Sequence, residues 1–179
     1  VMDFIRVINY KHGFQIGARH ITVSTCGIVP KIYDYAKEVI KSNLAISLHA
    51  PNNKLRSKLM KINKVYPLEP LIKAVKDYTE ISGRRVTFEY ILLKGVNDDV
   101  LHADELSDLI RGINAYVNLI PYNPVNEFDY DKTDPIRAQK FYKQLEKRGI
   151  NATLRRELGS DIDAACGQLR LKKEFKGKS

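Results

Sequence analysis

The chain contains no tryptophan and only two cysteines, Cys26 and Cys166, which lie far apart in the sequence. Any aromatic platform for base stacking therefore has to rest on tyrosine. So few cysteines exclude a disulfide framework and, with no secretory signal in view, favour a reducing compartment, so we expect a cytoplasmic protein. No cysteine or histidine pair has the spacing of a protein-bound metal site. No glycine-rich dinucleotide fingerprint follows any predicted strand.

Acidic residues are outnumbered by basic ones, with 21 Asp and Glu against 30 Lys and Arg, which gives a net charge of +9 in 179 residues. This balance favours a polyanionic partner such as nucleic acid, although ordinary soluble domains are often moderately basic. The remaining composition, 44% hydrophobic and 28% charged, is typical of a globular domain. It excludes a disordered, fibrous or membrane-spanning chain, so we expect no membrane partner.

The first residues carry apolar side chains at positions 1, 4, 5 and 8, which is the pattern of an amphipathic helix. No capping residue precedes this pattern. We therefore expect the chain to begin inside a helix, as the C-terminal part of a longer protein.

Five apolar, β-branched segments predict strands, and helical patterns lie between them. The predicted strands cover residues 21–27, 44–50, 85–93, 116–121 and 150–155. The predicted helices run from Pro30 to about residue 40 with Val39 and Ile40 turned inward, from about 53 to 60, and over 68–81, 100–113 and 135–149. Residues 95–99 supply turn and N-cap chemistry for the helix over 100–113, and Asp134 is the predicted N-cap of the helix that follows it.

Single helices between strands require parallel strands joined by right-handed crossovers, so we predict an α/β fold. Because the dinucleotide fingerprint is missing, a partial (β/α) barrel is favoured over a doubly wound sheet. We expect residues 1–170 to form this unit and residues 171–179 to form a basic tail.

Polar side chains stand at or just past the ends of three predicted strands: Ser24, Ser47 with His49, and Asn123. The carboxyl ends of barrel strands converge on one rim, where reactive groups gather. Each of these residues alone more often satisfies nearby backbone groups than binds a ligand. Their convergence predicts a site for a polar cofactor.

Charged residues elsewhere suggest further roles. A run of cations without an acid follows the strand that ends near His49, and it is suited either to phosphates or to a solvated helix face. The run comprises Lys54, Arg56, Lys58, Lys61 and Lys64. Further cations flank the loop that contains Cys166, namely Arg155, Arg156, Arg170, Lys172 and Lys173. Candidate general bases are Glu89, Asp161 and Asp163, although Glu89 lies within a strand and can instead pair with a cation of a neighbouring strand.

The two cysteines differ in their surroundings. Cys166 lies among small residues, Ala164, Ala165 and Gly167, and close to arginines. A thiol in such a loop can ionise and be reached, so we interpret Cys166 as a candidate nucleophile. Cys26 is interpreted as a small buried hydrophobic residue.

Several separate blocks occur in order: residues 19–27 (RHITVSTCG), 45–51 (AISLHAP), 88–90 (FEY), 95–98 (GVND), 117–121 (VNLIP) and 161–169 (DIDAACGQL). Together they resemble the radical S-adenosylmethionine (SAM) RNA methyltransferases that methylate C2 of adenine in 23S rRNA and in certain tRNAs. The resemblance covers nearly the whole chain.

The resemblance implies a radical SAM (β/α) barrel without its N-terminal strands. It implies SAM contacts at Ser24, Ser47, Leu48, His49 and Asn123, and a methyl-carrying cysteine at Cys166. The [4Fe-4S] ligands, a proton-accepting glutamate and a resolving cysteine would precede this chain, so the isolated chain is expected to be inactive. The implied partners are 23S rRNA, tRNA and an electron donor such as flavodoxin or ferredoxin.

In the implied mechanism one SAM methylates Cys166. A second SAM, reduced by the cluster, gives a radical that activates this methyl group for addition to C2, which is not nucleophilic. Two alternatives stay open at this point. One is methylation at C8 of the same ribosomal adenine by a related enzyme, and the other is a noncatalytic RNA-binding α/β domain.

Overall fold

The structure is a computed structural model that describes residues 1–124 and 128–155. After an N-terminal helix, strands and helices alternate along the chain. The elements are α1 (Met2–Asn9), β1 (Thr22–Thr25), α2 (Val29–Ala36), β2 (Asn43–Ser47), α3 (Asn53–Leu59), α4 (Leu68–Ser82), β3 (Val86–Leu92), α5 (Val100–Leu109), β4 (Ala115–Pro121), α6 (Pro135–Lys147) and β5 (Ala152–Leu154). The predicted basic tail, residues 171–179, lies outside the described residues.

The described strands form one five-stranded sheet in the order β1-β2-β3-β4-β5. Every neighbouring pair is parallel. Each strand lies beside its predecessor without a reversal of strand order, as in a (β/α) barrel and unlike a doubly wound sheet. The prediction of an α/β fold with a partial barrel of parallel strands is confirmed. All carboxyl ends therefore lie along one edge of the sheet.

The two faces of the sheet differ in polarity. Along β3 the buried residues alternate with half-buried ones, and Val86, Phe88 and Tyr90 join a single apolar core with residues of α2, α4, α5 and α6. Thr87 and Glu89 point to the other face because successive side chains in a strand alternate. We call this second face, opposite the helices, the open face.

Helix starts follow their predicted caps. The Asp99 carboxylate accepts a hydrogen bond from the Leu101 amide at the start of α5. Asp134 does the same for α6 by accepting from the amides of Ile136 and Arg137. Both carboxylates satisfy first-turn amides that have no partner within the helix.

Two helix ends differ from the prediction. Helix α2 ends at Ala36, so Val39 is 92% exposed and its predicted inward position is wrong. The prediction rested on apolar spacing alone, and this spacing continues beyond the residue at which the chain turns towards β2. Helix α5 ends at Leu109, ahead of the predicted end, and Gly112 then adopts a left-handed backbone conformation that interrupts the helical path.

Arg56 is completely buried, at 0% exposure, so both interpretations of the run, contact with phosphates and a solvated helix face, are wrong for this residue. Its guanidinium donates hydrogen bonds to the carbonyl oxygens of Cys26 (2.8 Å), Leu48 (3.2 Å) and Ser47 (3.3 Å). It also donates to the side-chain oxygen of Asn63 (2.9 Å). Arg56 therefore joins the loop after β1 to the end of β2.

The loop after β1 approaches this guanidinium closely at Gly27. Gly27 has a φ of 101°, and a Cβ there would lie 3.1 Å from the Leu71 methyl carbons and 3.3 Å from Arg56 Nη2. A larger residue would be strained by its backbone conformation and crowded by both neighbours. The glycine is thus required by the packing around Arg56.

Replacing Arg56 with Met should lower the free energy of unfolding by roughly 3 kcal/mol or more, because several buried acceptors lose their donor together. Urea unfolding of the 179-residue chain measures this effect. Lys58→Met, an exposed position on the same helix, is the matched control and should change stability by less than about 0.5 kcal/mol. Equal effects of the two substitutions would show that the buried contacts contribute little.

Candidate functional site

A row of polar residues crosses the open face near the carboxyl edge. The strand register pairs Ser47 with Glu89, Glu89 with Asn118, and Asn118 with Thr153. Register partners in a parallel sheet share a face, so these side chains stand next to one another. We call Ser47, Glu89, Asn118 and Thr153 the polar row.

One hydrogen bond within the polar row fixes its only carboxylate. Asn118 Nδ2 donates to Glu89 Oε2 at 2.8 Å. Among the described residues Glu89 has no cationic partner, so the interpretation that it pairs with a cation of a neighbouring strand is contradicted. The register places an amide on β4 and a hydroxyl on β2 beside it. A role for Glu89 as a general base stays a prediction.

The structure brings the predicted rim residues to one edge of the sheet. Ser24 is exposed near the end of β1, and Ser47 ends β2 on the same face. Asn123 is exposed just past the end of β4. Leu48 instead lies in the apolar core and is fully buried, which makes it the least accessible of these residues. Contact with SAM stays a prediction for all of them.

His49 is held rigidly at the end of β2. Its backbone has a φ of 59°, in the left-handed region that is uncommon for residues other than glycine. Its Nδ1 accepts a hydrogen bond from the Ile91 amide at 3.2 Å. Because Nδ1 is an acceptor, the proton of the neutral ring lies on Nε2. His49 is thus oriented as a donor through Nε2.

The environment also keeps this ring neutral. Burial, and secondly the nearby charge of Arg56, lower the pKa of His49 to about 4. Both causes disfavour the imidazolium form. At neutral pH His49 therefore adds no positive charge to the rim.

Asn97 is a positioning residue that sequence reasoning missed. It is fully buried, and its Nδ2 donates to the carbonyls of His49 (2.9 Å) and Ile91 (2.7 Å). Its Oδ1 accepts from the Leu93 amide at 2.7 Å. The sequence predicts only turn and N-cap chemistry for this segment. Nothing in the local sequence separates a buried, cross-linking asparagine from an ordinary turn asparagine.

Asp98 fixes the neighbouring loop to α6. Its carboxylate accepts from Arg137 through Nε (3.1 Å) and Nη2 (3.0 Å), and from the Thr133 hydroxyl (2.5 Å). A bidentate pair of this kind fixes the relative orientation of the two side chains and adds the attraction between opposite charges. The loops after β3 and β4 are therefore held together at the rim.

The predicted phosphate-binding run contains four cations besides the buried Arg56, and their side chains are accessible. They are Lys54, Lys58, Lys61 and Lys64, all exposed. Their contact with phosphates stays a prediction. The candidate nucleophile Cys166 and the candidate bases Asp161 and Asp163 lie outside the described residues, as do Arg156, Arg170, Lys172 and Lys173.

The described residues do not fit an iron–sulfur cluster. No group of three or more His, Cys, Asp or Glu side chains is placed to hold a metal ion in residues 1–124 and 128–155. Cys26 is half-buried there, and its carbonyl accepts from Arg56. Within the same ranges, every helix is too short or too polar to cross a membrane.

The low pKa of His49 predicts a pH-dependent stability. The unfolded chain takes up a proton on this histidine near pH 6.5, whereas the folded chain does so only near pH 4. The stabilisation is therefore complete above pH 6.5 and is lost as the pH falls towards 4, by roughly 3 kcal/mol.

Urea unfolding between pH 4 and 7.5 should show this loss in the parent and not in His49→Asn, since asparagine tolerates the left-handed backbone. The exposed His20→Asn variant serves as the control and should behave like the parent. An NMR titration of His49 with a midpoint near 6.5 would contradict the assignment.

Known proteins are similar to this chain in sequence and in structure. The family described as the radical SAM superfamily matches residues 2–106. The chain is 57% identical over 172 residues to a probable dual-specificity RNA methyltransferase RlmN of Staphylococcus carnosus, which covers 96% of this chain and 47% of that protein. A relative of the same name from Thermoanaerobacter sp. is 56% identical, with 96% and 50% covered. The chain thus spans about half the length of the curated relatives it matches.

Solved structures agree with these similarities. A radical SAM methyltransferase from Sphaerobacter thermophilus superposes with a TM-score of 0.89 at 47% identity, covering 93% of this chain and 49% of that one. A domain of a pyruvate-formate lyase-activating enzyme from Bacteroides vulgatus superposes with a TM-score of 0.60 at 16% identity over 75% of this chain and 80% of that one, which shows a shared fold. From the matched residues 2–106 and the parallel sheet, the chain belongs to the radical SAM superfamily.

Proposed function

We propose that the protein containing this chain is a radical SAM RNA methyltransferase that methylates C2 of adenine in 23S rRNA and in tRNA. The observation that carries this proposal is the 57% identity, over 96% of the chain, to a relative named as a dual-specificity RNA methyltransferase. The geometry supports it, since Ser24, Ser47, His49 and Asn123 lie along the carboxyl edge of one parallel sheet.

The rim and the open face fit SAM, which is polar and positively charged. Ser24, Ser47, His49 and Asn123 would hold it through side chains, and Leu48 only through a local rearrangement of its buried position. SAM, together with a reduced [4Fe-4S] cluster held by ligands other than the described residues, would supply both a methyl group and a radical able to abstract hydrogen. The protein's part is to bind and orient.

His49 is suited to binding SAM because its imidazole ring is neutral. A protonated imidazole beside a sulfonium ion would repel it, and the pKa of about 4 prevents that at neutral pH. The Nε2–H group is left to donate to an acceptor atom of the cofactor. The Ile91 amide and Asn97 hold the ring and its backbone in place for this bond.

Cys166 is proposed to carry the methyl group. Adenine C2 is electron-poor and has no lone pair with which to attack a sulfonium methyl, whereas a thiolate is a strong nucleophile. The Cys166 thiolate would form a bond to the methyl carbon as the carbon–sulfonium bond breaks, which leaves S-adenosylhomocysteine. The base must leave its stack to reach this residue.

RNA binding is assigned to the exposed lysines that follow β2. Lys54, Lys58, Lys61 and Lys64 are suited to phosphates in a chain of net charge +9. An electron donor such as flavodoxin or ferredoxin would complete the system, and we propose a cytoplasmic location.

Ser47→Ala and Asn123→Ala in the complete protein should each weaken SAM binding by roughly 1 to 3 kcal/mol, because a polar group of the cofactor loses its partner. Isothermal titration calorimetry measures the affinity, and a thermal melt checks the fold. Asn114→Ala, an exposed asparagine just before β4 at the opposite edge of the sheet, is the control and should bind SAM like the parent. If both rim variants bind like the parent, the rim is not the SAM site.

Cys166→Ala in the complete protein should abolish RNA methylation while leaving the cluster spectrum and SAM binding intact. The parent should show a methyl mass increment on the peptide that contains Cys166, and mass spectrometry of the RNA should locate the new methyl group on C2. Cys26→Ala is the matched control and should retain methylation. Methylation by Cys166→Ala would refute the relay, and a product methylated at C8 would refute the C2 assignment.

A further inference from the structure

Glu89 is the one charged member of the polar row, and its neighbours there are neutral. Asn118 donates to Oε2 at 2.8 Å from one side. Ser47 stands in register on the other side. In the described part of the chain nothing donates to Oε1. The carboxylate is thus positioned by one hydrogen bond and still has acceptor capacity on the open face.

Among the described residues no cation forms an ion pair with Glu89, and two arginines close to β2 and β3 in the chain are engaged elsewhere. Arg56 donates to carbonyls at the ends of β1 and β2 and is buried on the core side. Arg85 precedes β3 at its opposite end, where its guanidinium lies 4.6 Å from the centre of the Tyr116 ring. His49 is neutral at physiological pH. Glu89 thus has no ion-pair partner among the described residues.

A carboxylate that has no ion-pair partner and retains acceptor capacity can pair with a ligand of opposite charge. The face on which Glu89 stands is the one that carries the rim residues Ser24 and Ser47. A carboxylate accepts strong, charge-assisted hydrogen bonds from an ammonium group and attracts a sulfonium ion at short range. A site with this residue selects a cationic ligand over its neutral analogue.

We propose that Glu89 binds the positively charged part of SAM, its ammonium or sulfonium group, and that Asn118 is the residue that positions the carboxylate. This inference rests on the proposed function, because it takes SAM to be the ligand of this face. It assigns Glu89 to cofactor binding and specificity instead of to proton transfer.

Equilibrium binding to the complete protein with its cluster reconstituted tests the inference without measuring turnover. Glu89→Gln keeps the size of the side chain and an acceptor for Asn118 but removes the charge. It should weaken SAM binding roughly 10- to 100-fold, the range expected for a hydrogen bond to a charged group. Binding of adenosine, which has neither cation, should change less than about 3-fold.

A third ligand and two further variants distinguish the ammonium contact from the sulfonium contact and control for the change in net charge. S-adenosylhomocysteine keeps the ammonium group and lacks the sulfonium charge. If Glu89→Gln weakens its binding as much as that of SAM, Glu89 contacts the ammonium group. If its binding changes as little as that of adenosine, Glu89 contacts the sulfonium group. Glu89→Asp should bind SAM more tightly than Glu89→Gln because the charge is retained. Glu80→Gln, on the exposed side of α4, changes the net charge equally and should bind all three ligands like the parent.

Two outcomes would overturn the inference. Unchanged SAM affinity in Glu89→Gln, or an equal loss for SAM and adenosine, would show that Glu89 is structural or contacts an uncharged part of the ligand. Either result leaves the proposed function standing as long as the parent binds SAM. A parent protein that binds no SAM would instead refute the proposed function together with this inference.

Discussion

The buried guanidinium of Arg56 is the interaction on which the rim depends. Arginine offers donors in a fixed planar fork, and here they reach the carbonyls of Cys26, Ser47 and Leu48 as well as the side chain of Asn63. These carbonyls lie at or just past the ends of β1 and β2. A single side chain thus satisfies several buried acceptors and sets the spacing of two neighbouring strand ends.

Other buried polar side chains along the rim also join neighbouring loops by hydrogen bonds. Asn97 supplies donors to the carbonyls of His49 and Ile91, and Asp98 ties the next loop to Arg137. Because these internal contacts satisfy the backbone, the side chains of Ser24 and Ser47 are not needed for it, and the His49 ring gives up only Nδ1, which accepts from the Ile91 amide. A site built this way is positioned before a ligand arrives, which lowers the entropy cost of binding.

The contrast between the two faces of the sheet gives the site its chemistry. Helices cover one face with an apolar core, whereas the open face carries the polar row with one carboxylate. Parallel sheets in doubly wound proteins are apolar on both faces. A polar inner face at the carboxyl edge is instead the arrangement of a barrel that holds a polar ligand.

The sequence by itself was sufficient for the order of strands and helices, for the caps at Asp99 and Asp134, and for the rim positions of Ser24, Ser47 and Asn123. These features depend on local periodicity, on capping chemistry and on where a strand ends. Tertiary structure decided which cation of the run from Lys54 to Lys64 is buried, which asparagine crosses between loops, and which residues Glu89 stands beside. Local sequence cannot decide them, because burial and register depend on contacts between residues that are distant in the chain.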